Sequence, residues 1–283
     1  SLPHVMMRYF TTPSVRTARR SVGWSLFFIF LLYSSAPMLA TLSKISLMDP
    51  NLATGIIGKS ITEVQALDWY QNWNQAKLMF VSDFNGNGTL ELNEFFMKGS
   101  AVVLATPEIA GLPYVISGLV AAGGMAAAMS TADGLVLAIS NALSHDVYYK
   151  IINPKAETAK RLIVARVLLV LIGFAGATIA ALEIQGILGS VIWAFDFAMS
   201  GLFFPLVLGV WWKRANAPGA VAGMLLGLIS GTAYLVWVRS GGSGFLGITQ
   251  LTFGIVGAAV SLVSMIVVSL ITAAPDAATQ KMV

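Results

Sequence analysis

The sequence predicts an all-α integral membrane protein with about six transmembrane helices. Of the 283 residues, 57% are hydrophobic and only 11% are charged, whereas soluble domains carry about 25% charged residues. Apolar runs of about 20 residues, the length that crosses a bilayer as a helix, recur along the chain. The basic residues collect in short segments between these runs, as they do in membrane proteins with a fixed orientation.

Six apolar runs are long enough to cross the hydrocarbon core. In chain order they cover approximately residues 21–42, 112–143, 161–182, 186–212, 218–238 and 250–271. The second run is longer than a straight span needs, so we expect it to be tilted or broken, with Gly123–Gly124 as the weak point. Small residues are dense in the runs, which favours a bundle of closely packed helices.

Basic residues predict the orientation. They precede the first span and lie between the second and third spans and between the fourth and fifth; they are Arg8, Arg16, Arg19, Arg20, Lys150, Lys155, Lys160, Arg161, Lys213 and Arg214. These segments share one side, which the positive-inside rule makes cytoplasmic. We therefore expect a cytoplasmic segment with the first span (1–42), an extracytoplasmic segment (43–111), and five further spans with the start of a cytoplasmic tail (112–283).

The segment between the first two spans, residues 43–111, is too long for a bare loop in a compact protein, so we expect it to fold. We call it the connecting segment. The pattern over residues 61–80 predicts an amphipathic helix, with Thr62 or Ser60 as its N-cap. A second helix is predicted to begin near Leu92. These two helices would flank a polar loop.

That polar loop, residues 83–94, fits the twelve-residue EF-hand pattern for calcium. Oxygen-bearing side chains stand at positions 1, 3, 5, 9 and 12, Gly88 stands at the turn position 6, and position 7 offers its backbone carbonyl. The predicted ligands are Asp83, Asn85, Asn87, Thr89, Glu91 and Glu94. The alternative is a turn rich in Asn and Gly that binds no metal. With few carboxylates and no second loop, we expect modest affinity.

A polar stretch interrupts the second span and is a candidate cation site. Ala127, Ser130, Thr131 and Gly134 share one helix face by their spacing. The two hydroxyls and the Ala127 carbonyl can replace part of the water shell of a small cation. Asp133, an acid within a span, is a candidate coupling residue. The alternative is structural: the hydroxyls bond back to their own helix, and Asp133 pairs with a buried polar group.

Other polar residues give weaker signals. Asp196 in the fourth span has no neighbours in sequence that supply further ligands, so we expect it to be structural, and Glu183 at a helix end should be solvated. His4 and His145 lie in basic segments, and the chain has no cysteine. Because no nucleophile–base pair or metal triad is visible, we expect no enzymatic activity. The small net charge of +4 does not suggest nucleic-acid binding.

Three motifs resemble the sodium:solute symporter family, in its acetate-permease branch. They are Met129–Gly134 with Ser140–Tyr148, Leu2–Thr11, and Ala217–Gly223. The resemblance implies the C-terminal part of an inverted-repeat (LeuT-type) transporter fold: the last four core helices and two later ones. It also implies a sodium site formed by the Ala127 carbonyl and the Ser130 and Thr131 hydroxyls. Because the sequence begins without Met and stops without an ending signal, we expect it to be a fragment of a longer chain. Its partner would be the missing N-terminal half of the same transporter.

We therefore predict a secondary active transporter that couples the symport of a small organic solute to sodium. The expected solute is a monocarboxylate such as acetate. The expected location is the lipid bilayer of a bacterial inner membrane, which the protein crosses several times. Na⁺ is the expected coupling ion, with H⁺ as the alternative, and Ca²⁺ the expected ion of the connecting segment. A rival interpretation is the membrane sensor module of a signalling kinase with the same fold. A third is a channel or a structural membrane subunit.

Overall fold

The computed structural model describes residue 5, residues 11–182, residues 184–276 and residue 280. Two sequence predictions fall outside these residues: the Leu2–Thr11 motif, which contains His4 and Arg8 and of which only Val5 and Thr11 are described, and the solvated Glu183. The described residues form two compact units. One spans residues 12–133, and the other comprises residues 5, 11, 134–182, 184–276 and 280.

Helices make up most of the described chain. In order they are α1 (Val15–Met48), α2 (Ile61–Gln65), α3 (Asp68–Gln75), α4 (Val102–Ile109), α5 (Tyr114–Asn141), α6 (Thr158–Ala181), α7 (Ile187–Ala198), α8 (Phe204–Trp211), α9 (Ala217–Arg239) and α10 (Gly254–Ile271). π-Helical turns extend α5 over Ala142–Ile152 and join α7 to α8 over Met199–Phe203. Strands β1 (Met79–Val81) and β2 (Phe95–Met97) are antiparallel, with Phe80 opposite Phe96.

The six predicted spans are confirmed. Within the described ranges, six helical stretches are long and apolar enough to cross a membrane: α1, α5 with its π-helical extension, α6, α7 joined to α8, α9 and α10. The chain is therefore a multi-pass membrane protein. In α1, α5 and α6, none of the residues in the most apolar stretch is buried within this chain, whereas 33% of those in α10 are buried. The last spans thus pack on one another, and the first three present bare faces.

The expected break at Gly123–Gly124 is wrong, because α5 runs through both glycines as a regular helix. Sharp kinks occur at prolines, at pairs of Gly or Ser, at π-bulges or where a group inserts into the backbone ladder, and here the glycine pair alone does not break the helix. Nothing lies within 4 Å of a Cβ built on Gly123, and only the Leu104 side chain comes near Gly124, at 3.7 Å. The irregular part comes later, where the π-helix starts at Ala142.

The connecting segment folds around a hydrophobic core of its own. Its buried side chains come from the end of α1, the turn before α2, helices α2 to α4, strand β1 and the polar loop; they are Leu47, Ile56, Val64, Tyr70, Met79, Leu90, Ala105 and Ile109. A hydrogen bond of 2.8 Å between the hydroxyls of Ser43 and Thr106 joins α1 to α4. The prediction that this segment folds agrees with the structure.

The two helices predicted in the connecting segment are wrong in detail. The pattern over 61–80 forms α2, α3 and β1, because Leu67 is extended (φ −69°, ψ 129°) and Lys77 is left-handed (φ 56°). Ser60, not Thr62, is the N-cap of α2, and its hydroxyl bonds to that of Thr62 and not to the backbone. Near Leu92 the chain makes one 3₁₀ turn and enters β2.

Strands, not helices, therefore flank the polar loop. The rings of Phe80 and Phe96 stack across the strand pair with centroids 4.7 Å apart. Aromatic residues directly opposite each other stabilise antiparallel pairs. This cross-strand pairing outweighs the helical pattern of both flanks, since isolated short helices are marginal in water.

Small residues hold α9 against α10. Gly219, Gly223, Gly227 and Gly231 recur every four residues along α9 and are all buried. They face a buried row on α10 that contains Gly257, Ser261, Met265 and Ser269. Small residues let membrane helices approach closely, so that dispersion contacts between backbones stabilise the pair.

Candidate cation sites on α5 and in the connecting segment

The predicted sodium ligands lie together at the middle of α5. The Thr131 hydroxyl donates to the Ala127 carbonyl at 3.4 Å, at the long limit for such a bond. Within the described residues, the Ser130 hydroxyl has no hydrogen-bond partner. The structure thus brings the Thr131 hydroxyl to the Ala127 carbonyl. Ser130, three residues after Ala127, shares their side of the helix by spacing, and its hydroxyl is unengaged in the described part of the chain.

This face of α5 is uncovered. Ala127, Ser130 and Thr131 are all exposed, and the apolar window of the span buries none of its residues. Three oxygens do not complete the coordination shell of a small cation. A cation bound here needs further ligands from outside the described residues.

Asp133 does not join the whole ligand set. Asp133 stands three residues after Ser130, so the side chains of Asp133 and Ser130 can lie on the same helix face. It stands two residues after Thr131, so Asp133 and Thr131 lie on different faces. The carboxylate is exposed, and within the described ranges it has neither an ion pair nor a hydrogen bond. The buried polar partner expected in the structural alternative is not present in the part of the chain that the structure describes.

The EF-hand-like loop is held at both ends by its outermost acids. Asp83 accepts hydrogen bonds from the backbone N–H groups of Gly86 and Gly88, at 2.7 and 3.1 Å. Glu94 is fully buried (0% exposed) and accepts from the N–H groups of Phe84 and Glu91, at 2.9 and 3.0 Å. Positions 1 and 12 therefore point into the same loop.

The middle positions of the loop also converge. The side-chain amides of Asn85 and Asn87 both donate to Oε1 of Glu91, at 3.0 and 3.1 Å. Gly86 and Gly88 are left-handed, with φ of 72° and 70°, a conformation that glycine adopts at little cost. The carbonyl of Thr89 accepts no hydrogen bond among the described residues, which leaves it open at position 7.

The loop is anchored to the chain before α2. Leu90 is fully buried, and its N–H donates to the Lys59 carbonyl at 2.8 Å while Gly58 donates back to its carbonyl at 2.9 Å. Across residues 11–182 and 184–276, no group of three His, Cys, Asp and Glu side chains is placed to hold a metal ion. Any calcium site here therefore depends on the amide and carbonyl oxygens as well as the carboxylates.

Asp196 lies in a packed interface. It is 8% exposed, and a Cβ on Gly254, the first residue of α10, would stand 2.7 Å from Oδ1. The Ser200 hydroxyl donates to the Asp196 backbone carbonyl at 2.7 Å and so offers nothing to the carboxylate. Oδ2 has no partner among the described residues. The structural role of Asp196 stays a prediction.

The second half of the main sequence motif forms the junction between α5 and α6. The buried Ser140 hydroxyl donates to the Ala165 carbonyl at 2.8 Å, and the guanidinium of Arg161 lies 3.8 Å from the centre of the Tyr149 ring. Lys150 pairs with Asp146 at 3.0 Å. This packing role was not predicted from the sequence, although Ser140 is a polar residue within an apolar run.

Comparisons with known proteins match this chain to transporters. Residues 98–227 match the family model of the Sodium:solute symporter family, a range that includes the α5 oxygens but not residues 83–94. The chain is 40% identical over 282 residues to an uncharacterized symporter of Cupriavidus necator, which covers 96% of this chain and 40% of that protein.

Two further relatives have named solutes. A monocarboxylic acid transporter of Corynebacterium glutamicum is 26% identical over 231 residues, or 81% of this chain and 34% of that protein. The sodium/proline symporter of Escherichia coli is 31% identical over 182 residues, or 64% of this chain and 33% of that protein. The chain thus spans less than half the length of each of these relatives.

Proposed function

We propose that this chain, which belongs to the sodium:solute symporter family, forms part of a secondary active transporter that couples the entry of a small organic solute to sodium. The observation that carries the proposal is that the Thr131 hydroxyl lies against the Ala127 carbonyl in the middle of α5, with the exposed Ser130 on the same helix face by spacing. Hard oxygen ligands suit hard cations, and these three lie within the segment that the family model matches.

The exposed face of α5 explains how such a site works. The remaining ligands come from a part of the transporter that packs over Ala127, Ser130 and Thr131, so sodium bridges two elements. Sodium binding then favours the conformation in which both elements are together, and the solute binds to that conformation. Movement between outward-open and inward-open states releases both on the inside. Each charge that crosses 100 mV supplies about 2.3 kcal/mol.

The proposed solute is a small monocarboxylate such as acetate. This proposal rests on the motif resemblance and on a relative that is named a monocarboxylic acid transporter. Another relative is named for proline, which also carries a carboxylate. A carboxylate is therefore the chemical group that these solutes share.

Uptake by proteoliposomes tests the proposal. The full-length protein is reconstituted, and accumulation of labelled acetate is measured with an inward sodium gradient, with an equal potassium gradient, and with a proton gradient. Sodium-driven accumulation would support the symporter with this solute. Accumulation driven only by protons would overturn the proposal of sodium coupling. Labelled proline is tested in the same way, and sodium-driven uptake of proline without uptake of acetate would overturn the proposal that the solute is a monocarboxylate such as acetate.

We also propose that the loop of residues 83–94 binds calcium on the extracytoplasmic side. In support, both of its ends are acidic, and Glu94, at the position that binds calcium through two oxygens, is fixed in place by two backbone N–H groups. The Thr89 carbonyl is open at position 7. Asn at positions 3 and 5 adds neutral oxygens, and a low ligand charge gives the weak affinity typical of extracellular sites.

A further inference from the structure

The connecting segment and the start of α5 line an open cavity that neither proposal above uses. Its volume is about 800 Å³, within the range of small-molecule sites. Residues of α3, of α4 and of the first two turns of α5 line it. The side chains that matter for its chemistry are Asp68, Trp69, Trp73, Glu108, Tyr114 and Ser117.

The cavity carries negative charge without compensation. Asp68 and Glu108 both line it, and no Lys, Arg or His is among its lining residues. Neither carboxylate forms an ion pair with any cation in the described ranges. Oε2 of Glu108 accepts a 2.9 Å hydrogen bond from the indole N–H of Trp73, while Oε1 has no hydrogen-bond partner among the described residues. Two unpaired carboxylates favour a cation and repel an anion.

The walls of the cavity are aromatic. The half-buried indoles of Trp69 and Trp73 line it, and the exposed phenol of Tyr114 stands at its rim. Trp is the side chain that attracts cations most strongly through its ring face. The hydroxyl of Ser117 is buried there and has no partner within the described part of the chain. Aromatic walls suit a cation that also has an apolar surface, and a bare metal ion gains little from them.

We propose that this cavity binds an organic ammonium cation of small-molecule size. The aromatic rings contact the alkyl groups around the nitrogen, and Asp68 and Glu108 balance its charge. A multivalent metal ion fits less well, because no three His, Cys, Asp and Glu side chains of the described residues are grouped to hold one. The site is separate from the α5 oxygens and does not depend on sodium coupling.

Direct binding tests this proposal. The full-length protein in detergent is titrated with radiolabelled tetramethylammonium, and bound ligand is measured by scintillation proximity at constant ionic strength. We expect saturable binding that unlabelled choline displaces. We expect no displacement by 3,3-dimethyl-1-butanol, which has the shape of choline without its charge, and none by sodium chloride. Equal displacement by the uncharged alcohol or by sodium would overturn the proposal, as would the absence of saturable binding.

Substitutions assign the binding to this cavity. Glu108→Gln keeps an acceptor for the Trp73 indole but loses the charge, so we expect an affinity about tenfold weaker. Asp68→Asn, at an exposed position, should weaken binding about threefold because solvent screens its charge. The control is Glu63→Gln, an exposed acid of α2 outside the cavity, which should bind as the wild type does. Wild-type affinity in both Asp68→Asn and Glu108→Gln would overturn the assignment.

Discussion

Gly227 of α9 faces the backbone carbonyl of Ser200 so closely that no side chain fits between them. A Cβ at Gly227 would also stand 2.8 Å from Cβ of Ser261 and 3.1 Å from the carbonyl of Gly257. Two of these three neighbours are backbone atoms, which cannot move aside by a change of rotamer. The close approach of α9, α10 and the π-helical turn at Ser200 therefore requires glycine at this position.

Gly227→Ala should destabilise the packed last spans. A Cβ here forces a backbone shift, and overpacking of this kind costs about 1–3 kcal/mol. The matched control is Gly173→Ala in α6, where nothing lies within 4 Å of the added Cβ and alanine is the better helix former. Thermal stability of the purified protein, followed as loss of the monodisperse peak in size-exclusion chromatography, checks both. Equal stability of the two variants would contradict the packing argument.

The membrane part of the fold could be predicted from the sequence because long apolar runs have few alternatives in a bilayer. The predicted and observed spans agree to within a few residues for α6, α9 and α10. α1 is longer than predicted, since the helix starts at Val15 and continues to Met48. Hydropathy locates the part of a helix within the hydrocarbon and not the turns that extend beyond it.

The connecting segment could be predicted only in part. Its helical pattern is local, but the strand pair that replaces the predicted helices joins Phe80 to Phe96, and pairing at this distance along the chain is not encoded in a short window. The same limit applies to sites. Spacing alone put Ser130 and Thr131 on one helix face, whereas no periodicity links Trp73 to Glu108, which meet only in the folded segment.

Removal of both hydroxyls on α5 should weaken sodium dependence. In the full-length protein, Ser130→Ala with Thr131→Ala removes two of the proposed oxygen ligands, so the sodium concentration for half-maximal uptake should rise about tenfold or more, equivalent to at least ~1.4 kcal/mol. The control is Thr178→Ala in α6, whose hydroxyl also bonds back to its own helix, to the Phe174 carbonyl at 2.9 Å. Unchanged sodium dependence in the double variant would exclude this site.

The two acids within spans should behave differently. Asp133→Asn removes an exposed, unpaired charge next to Ser130, so we expect the sodium requirement of uptake to rise severalfold. Asp196→Asn keeps the shape of a buried side chain of α7 that packs against Gly254 at the start of α10, so we expect unchanged sodium dependence. Sodium titration of uptake in both variants checks this, and the opposite ranking would transfer the coupling role to Asp196.

Glu94→Gln should abolish calcium binding to the connecting segment and lower the stability of the loop slightly. The N–H groups of Phe84 and Glu91 bond to different oxygens of Glu94, so the single amide oxygen of glutamine keeps one of these bonds, while the charge and the second oxygen that calcium requires at position 12 are lost. Binding of ⁴⁵Ca²⁺ to the purified full-length protein is the measurement. Glu63→Gln, an exposed acid outside the loop, is the control and should bind calcium as the wild type does.

Calcium should also raise the melting temperature of the wild type and of Glu63→Gln, because a ligand that binds only the folded state stabilises it. Equal calcium binding by Glu94→Gln and the wild type would contradict the loop as a calcium site, as would a wild type that binds none at millimolar calcium, the weakest affinity expected of an extracellular EF-hand.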